Sequence, residues 1–382
     1  MTETGEQSGV SSANAPKIRV LVVDDSVVVR RLVTDVLAAD PDIEVIGTAA
    51  NGLIALSRVQ QMKPDLITLD VEMPEMDGLE TLQHLRKQNP EVRVIMFSTL
   101  TERGATVTID ALSHGASDYV TKASNLGSLD ASRKALQDDL IPKIKHLVRK
   151  GRGLPGLGLG RSSARQGALA GKASGTCVAD GGAPKPAWSP RFTPKVLTIG
   201  VSTGGPNALG AVFPQFPADF PLPVLIVQHM PPLFTRLLAE RLQTLTPLEV
   251  REAAEGDEVK PGRILIAPGD FHMVVEPGKG DFRIALNRDE PENSCRPAVD
   301  VLFRSVRRCY GEKTIALILT GMGQDGLKGA IELHDAGALI MAQDEASSVV
   351  WGMPGYVARA GIARHILPLD RIIPEILQYV RG

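Results

Sequence analysis

Val196-Leu197-Thr198-Ile199-Gly200-Val201-Ser202-Thr203-Gly204-Gly205-Pro206 is a short apolar strand that runs without a break into Gly-Val-Ser-Thr-Gly. That is the G-x-S-x-G pattern of a nucleophile elbow. A serine on a sharp strand-to-helix turn projects its hydroxyl off the sheet, and small neighbours let both the backbone and a substrate carbonyl come close. The same pattern also fits a phosphate cradle at a helix N-terminus, or a plain turn. Its meaning therefore depends on what the rest of the chain places beside Ser202.

Working outward, the strand 196–201 is one of several in its half of the chain. Apolar runs at 224–227, 314–319 and 338–342 alternate with stretches of helical spacing, and two Pro-Gly sites, Lys260-Pro-Gly-Arg263 and Glu276-Pro-Gly-Lys279, predict hairpin turns inserted between them. The first half has the same rhythm, with predicted strands at 18–23, 44–49, 65–69, 93–97 and 117–120. Between the first two, Val29, Leu32, Val33, Val36 and Leu37 recur at helical spacing over 26–38. Alternation of this kind predicts α/β architecture, here two doubly wound parallel-sheet domains. Between them, Gly151 to Lys195 is rich in Gly, Ser, Ala and Pro, with one acid, Asp180, against seven Lys or Arg. Such a stretch cannot bury enough apolar surface to order itself and reads as a flexible linker. The predicted organisation is a leader at 1–16, a first domain at 17–148, the linker at 149–194 and a second domain at 195–382.

Composition narrows the function classes. Of 382 residues, 43% are apolar and 23% charged, with a net charge of −2, so neither nucleic acid nor an anionic membrane is expected as the main partner. Cys177, Cys295 and Cys309 are odd in number and show no C-x-x-C spacing, which argues against a disulfide framework or a zinc site and for reduced cytosolic thiols. The leader has neither a cationic start nor an apolar core, and no apolar run approaches the roughly 18 residues of a membrane helix. A cytoplasmic protein without membrane insertion is predicted.

An activated serine needs a base within reach and a third group to orient that base. Among seven histidines, only His229 directly follows a buried-looking strand, in Leu225-Ile226-Val227-Gln228-His229, so it shares the sheet edge of Ser202. The strand that starts at Thr314 runs into Gly321-Met322-Gly323-Gln324-Asp325-Gly326, which makes Asp325 the predicted third member. An α/β-hydrolase places its acid before its histidine; the order Ser202, His229, Asp325 points to a different fold. A competing reading is Gly321-x-Gly323-x-x-Gly326 as a dinucleotide fingerprint, with Asp344 beyond it. The Asp325 carboxylate opposes it, standing where a pyrophosphate would bind.

In the first half, Asp24 and Asp25 end the first strand and Asp70 the third, where the carboxyl ends of parallel strands converge. Three carboxylates at close range repel unless a hard divalent cation such as Mg²⁺ lies among them. One of them could then accept a phosphoryl group, with Ser98 and Lys122, at the next two strand ends, facing its oxygens. Simple helix capping by Asp25 and a turn at Asp70 is the alternative.

Val22-Val23-Asp24-Asp25-Ser26, Leu69-Asp70-Val71-Glu72-Met73-Pro74, Ser98 and Tyr119-Val120-Thr121-Lys122 resemble a response-regulator receiver domain, which is flavodoxin-like. The resemblance implies Asp70 as phosphoacceptor, Mg²⁺ held by Asp24, Asp25, Asp70 and the Glu72 backbone carbonyl, and Tyr119 as a switch residue beside Ser98 and Lys122. Ala123 departs from the family, which usually has proline there. In the second half, Thr198 to Pro206, Gln228-His229-Met230-Pro231, Arg296-Pro297-Ala298-Val299-Asp300 and Leu319 to Gly326 resemble the Rossmann-like catalytic domain of the CheB family of chemotaxis protein-glutamate methylesterases. That resemblance implies hydrolysis of glutamyl methyl esters, and deamidation of glutamines, on chemoreceptors, with a chemotaxis histidine kinase as phosphodonor and no cofactor for the ester step. Ser202 would attack, His229 would move the proton, Asp325 would orient it, and the amides of Thr203 and Met322 would hold the oxyanion. Phosphorylation of Asp70 is expected to release an inhibited esterase. The alternative is a catalytically inactive response regulator that docks receptors.

Overall fold

Parallel strands buried on both faces need nearly unbroken apolar runs, and the runs at 18–23 and 196–201 become strands with those bounds. The computed structural model describes residues 16–122, 129–151 and 192–381, and it divides into two compact units between Val148 and Arg149. Ala123, the leader up to Ala15 and linker residues 152–191 lie outside the described residues.

The first unit runs β1 (Ile18–Val23), α1 (Val27–Ala38), β2 (Ile43–Ala49), α2 (Gly52–Met62), β3 (Leu66–Asp70), α3 (Gly78–Gln88), β4 (Arg93–Ser98), α4 (Glu102–Ser113), β5 (Asp118–Thr121) and α5 (Leu129–Gly151). Its sheet has the order β2-β1-β3-β4-β5 and is parallel throughout. Side chains start the helices: Ser26, Asn51, Asp77 and Thr101 each accept an amide of the first turn. Ser26, not Asp25, caps α1, which leaves Asp25 without the purely structural task considered for it.

The second unit runs β6 (Val196–Val201), α6 (Gly205–Val212), β7 (Val224–Gln228), α7 (Phe234–Gln243), β8 (Glu249–Glu252), β9 (Arg263–Ile266), β10 (His272–Pro277), β11 (Phe282–Asn287), α8 (Val299–Tyr310), β12 (Thr314–Ile318), α9 (Leu327–Asp335), β13 (Leu339–Gln343), α10 (Met353–Arg359), β14 (His365–Leu367) and α11 (Leu369–Arg381). Seven parallel strands lie in the order β14-β13-β12-β6-β7-β9-β8. The chain builds outward from β6 in one direction through β7, and in the other through β12. The crevice at such a reversal is where α/β sheets bind ligands.

Of the two predicted hairpins, Glu276–Lys279 leads into the turn of the antiparallel pair β10–β11. Lys260–Arg263 does not join a hairpin. Its Pro261-Gly262 turn feeds β9, which enters between β7 and β8 parallel to both. The ten residues 253–262 are the crossover that parallel pairing requires. The hairpin is fastened to α8, where Ser305 Oγ accepts the Val275 amide at 3.0 Å. Val299, Leu302, Phe303 and Val306 of α8 join Met273 and Val275 in the core, and this fixes where α8 begins.

Candidate functional site

In the first unit, Asp24, Asp25 and Asp70 each bring a carboxylate oxygen into a group whose members lie within 4.8 Å of one another. Asp24 and Asp70 are buried and Asp25 is exposed. Gly78, the first residue of α3, makes the packing behind Asp70 possible, because a Cβ there would collide with the Asp70 backbone carbonyl. Lys122 Nζ stands 2.8 Å from both Asp24 Oδ2 and Asp70 Oδ2. Burial pushes the Asp70 carboxyl up, Lys122 pulls it down and Asp24 pushes it up again; the result is about 6. Burial opposes the Lys122 ammonium, but the two carboxylates outweigh it and raise its pKa. Arg30 donates to the backbone carbonyls of Asp24 and Asp25, and three acids against the two cations still leave negative charge at a cluster of hard oxygen donors, which fits a divalent cation of the Mg²⁺ type. Ser98 is buried and donates to the Thr99 carbonyl at 3.1 Å. Tyr119 is buried beside Lys143, whose Nζ lies 5.5 Å from the ring centroid. The Glu72 side chain is exposed, and its amide donates to Asp70 Oδ1 at 3.4 Å.

In the second unit, Ser202, His229 and Asp325 follow β6, β7 and β12, which are neighbours in the sheet. The elbow is held by backbone: Ser202 N donates to Thr320 O at 3.0 Å and Gly205 N to Ser202 O at 2.7 Å. Gly204 has φ 76°, a left-handed conformation suited to glycine. A Cβ on Gly321 would stand 2.8 Å from the Ser202 Cβ, so glycine there lets the two loops approach. Gln228, buried at the end of β7, donates to the carbonyls of Ser202 at 3.0 Å and His229 at 3.2 Å, tying the two loops together.

His229 Nε2 lies 2.8 Å from Asp325 Oδ2, and His229 Nδ1 lies 3.6 Å from Cys295 Sγ. Among the described residues, Ser202 Oγ makes no hydrogen bond to the ring. Burial disfavours the imidazolium, but Asp325 and Cys295 outweigh it and hold the His229 pKa up, at about 10. Asp325 is itself held below its ordinary range: burial pushes it up, and His229 with the amides of Val299 and Asp300 more than compensates. Those amides, at 2.6 and 3.1 Å, are the first of α8, and Gly326 N adds a third at 3.0 Å. The N–H groups of Thr203 and Met322 donate to no group among the described residues.

Sequence reasoning missed Cys295, and it also missed Asn293, whose Nδ2 donates to Asp325 Oδ1 at 2.8 Å. Asp300 stood in a quoted motif without a role. It is buried next to Asp325 and accepts Gly329 N, in the first turn of α9, at 2.7 Å. The amides that a dinucleotide pyrophosphate would need are thus taken by the chain's own carboxylates, which opposes the fingerprint reading of Gly321 to Gly326.

Residues 20–133 match the family model described as response regulator receiver domain, and 197–376 match CheB methylesterase. The chain is a response regulator with an enzymatic second unit. A relative from Nocardioides sp. is 50% identical over 363 residues, covering 95% of each chain, and one from Trichodesmium erythraeum is 45% identical over 365 residues, covering 96% of this chain and 99% of its own. Both are named protein-glutamate methylesterase/protein-glutamine glutaminase. The crystal structure of the Thermotoga maritima CheB methylesterase catalytic domain is 44% identical, spanning 49% of this chain and 98% of that one, with a TM-score of 0.48. The chain belongs to the CheB methylesterase family.

Proposed function

We propose that Ser202, His229 and Asp325 hydrolyse glutamyl methyl esters, and deamidate glutamines, on chemoreceptors. The observation that carries this reading is the 2.8 Å bond from Asp325 to His229 at the sheet reversal where Ser202 stands. With Nε2 on the carboxylate, the serine proton would go to Nδ1, which in the resting site faces Cys295 Sγ at 3.6 Å. Ser202 Oγ attacks the ester carbonyl carbon as His229 takes that proton, and the amides of Thr203 and Met322 receive the oxyanion. Each such donor is worth about 3 kcal/mol in enzymes generally. As the tetrahedral intermediate collapses, the imidazolium gives its proton to the methoxy oxygen, which leaves as methanol, or to the amide nitrogen, which leaves as ammonia. Water, deprotonated by the same ring, then cleaves the acyl-serine to free glutamate. Methanol release from methylated receptor membranes is expected to vanish in Ser202→Ala; equal release by both forms would remove Ser202 as nucleophile.

The first unit is read as the control element. Asp24, Asp25, Asp70 and the Glu72 carbonyl would hold Mg²⁺, which neutralises charge on a phosphoryl group when bound. Asp70 attacks the phosphorus of a phosphohistidine on the kinase, Lys122 pairs with the phosphoryl oxygens, and Ser98 turns its hydroxyl from Thr99 O toward them, with Tyr119 responding. Phosphorylated Asp70 raises esterase output. The cytoplasm is the compartment that such a phosphodonor requires, and no helix among the described residues is long and apolar enough to cross a membrane.

A further inference from the structure

The loop between β11 and α8 holds Asn293 at φ 52° and Ser294 at φ 62°. Two successive non-glycine residues in the left-handed region are costly, and strain of this kind persists only where surrounding contacts impose it. Here the bend places one amide nitrogen between two carboxylates. Asn293 Nδ2 lies 3.0 Å from Asp300 Oδ2 and 2.8 Å from Asp325 Oδ1. Asp300 is 1% exposed and Asp325 2%. An amide has two hydrogens, so one is available for each acid.

Without that amide the two acids would lose the one side-chain donor that they share. Burial pushes the Asp300 carboxyl up, Gly329 N–H and Asn293 pull it down, and Asp325 and Glu292 push it up again; the result is about 6. Glu292 is ion-paired with Arg304. Asp325 must keep its Oδ2 on His229 Nε2 while its Oδ1 is fixed by Asn293, Asp300 N and Gly326 N.

We infer that Asn293 is a positioning residue of the esterase site: by bridging Asp300 and Asp325 it holds Asp325 in the orientation that binds His229. This rests on the assignment of Asp325 to the triad. Asp300 anchors the far end of the bridge and touches no substrate.

The test measures methanol release from methylated receptor membranes by the full chain between pH 6 and 8. Hydrogen bonds to charged groups are worth enough to change a rate by about ten- to a hundredfold. Asn293→Ala is expected to lower kcat by that factor with KM within about twofold. Its deficit is expected to grow as pH falls, because the unbridged acids bind a proton more readily. Asn293→Asp keeps the shape, so it decides the matter if the alanine chain does not fold. Its deficit is expected to grow as pH rises, because a protonated carboxyl replaces one amide hydrogen and an ionised one replaces none. Asp300→Asn in the Asn293→Ala background is expected to recover part of the loss, since it removes the repulsion. Wild-type kcat in both Asn293 variants would overturn the inference, as would deficits independent of pH and additive with Asp300→Asn. Ser202→Ala run alongside separates the two levels. Full release by that variant removes the triad itself, whereas an inactive Ser202→Ala beside fully active Asn293 variants removes only the bridge.

Discussion

Asp325→Asn removes the charge that holds His229 and leaves the side chain's shape. In the wild type the imidazole is raised from 6.5 to about 10 although burial alone would lower it. At 1.36 kcal/mol for each tenfold, the site favours the imidazolium by roughly 5 kcal/mol. At pH 7.5 only about one ring in three hundred is then neutral and able to take the serine proton. The rate is expected to climb with pH through 8 and 9 and to level off near 10. With asparagine in place, burial is opposed by Cys295 alone. The His229 pKa falls, the climbing limb moves toward acid, and the plateau drops by about a thousandfold or more because the imidazolium formed in the transition state has lost its partner. Imidazole nitrogen NMR, assigned with His229→Gln, follows the titration, and methanol release across pH follows the rate. A wild-type His229 that titrates below 7, or one unmoved by Asp325→Asn, would refute this account of the site.

Three further outcomes follow from the geometry. Cys295→Ala removes the sulfur 3.6 Å from His229 Nδ1 and is expected to lower the His229 pKa and shift the rate profile toward acid, with the plateau within a few-fold; the same NMR titration checks it. Gly321→Ala would set a Cβ 2.8 Å from that of Ser202 and against Met353 Sδ. A displaced nucleophile costs on the order of a hundredfold in kcat/KM, and phosphorylation by acetyl phosphate is expected to stay normal, so the two assays together locate the damage. In the metal-free receiver Asp70 takes up its proton near pH 6, above its ordinary range, so protons compete with Mg²⁺ below that value. Affinity measured by calorimetry is expected to fall roughly tenfold between pH 7 and 5, and a flat profile would show that Asp70 is not a ligand.

How much of this was legible depends on where each element sits in its sheet. Central strands such as β3 and β12 are buried at every position and announce themselves as apolar runs. Edge strands do not. β8 has one buried residue in Glu249-Val250-Arg251-Glu252, and β14 has none in His365-Ile366-Leu367. Half-solvated edges have no need of the pattern that betrays a central strand. β9 carries an apolar run, Ile264 to Ile266, but the preceding Pro261-Gly262 reads equally well as a hairpin turn, and only the order of the whole sheet decides between antiparallel return and parallel entry.

The site divides along the same physical line. Ser202, His229 and Asp325 could be brought together on paper because parallel strands put their carboxyl ends on one edge. Asn293 and Cys295 come from a loop whose position is set by the seating of α8, and no local signal specifies that. A Cβ at Gly200 would fall inside the Val299 side chain, and one at Gly326 would lie 2.9 Å from Val299 Cγ1, so a glycine within β6 and another just before α9 let the start of α8 drop into the sheet edge. One signal was available: Asp300 stands in the first turn of α8, just beyond the edge of the apolar face made by Val299, Leu302, Phe303 and Val306, where an acid is either drawn into the core or left at its rim. It is buried, and its backbone amide is one of those that hold Asp325 below its ordinary range. The glycine run beyond β12 has the spacing of a cradle for a ligand's phosphate, which Asp325 would repel from the helix that follows. The amides that receive Asp325 belong mainly to α8 instead, and Asp300 from α8 closes the N-terminus of α9 through Gly329. Each helix start is neutralised by an acid associated with the other, so the anion-binding capacity that could have held a cofactor is spent on holding a carboxylate against His229.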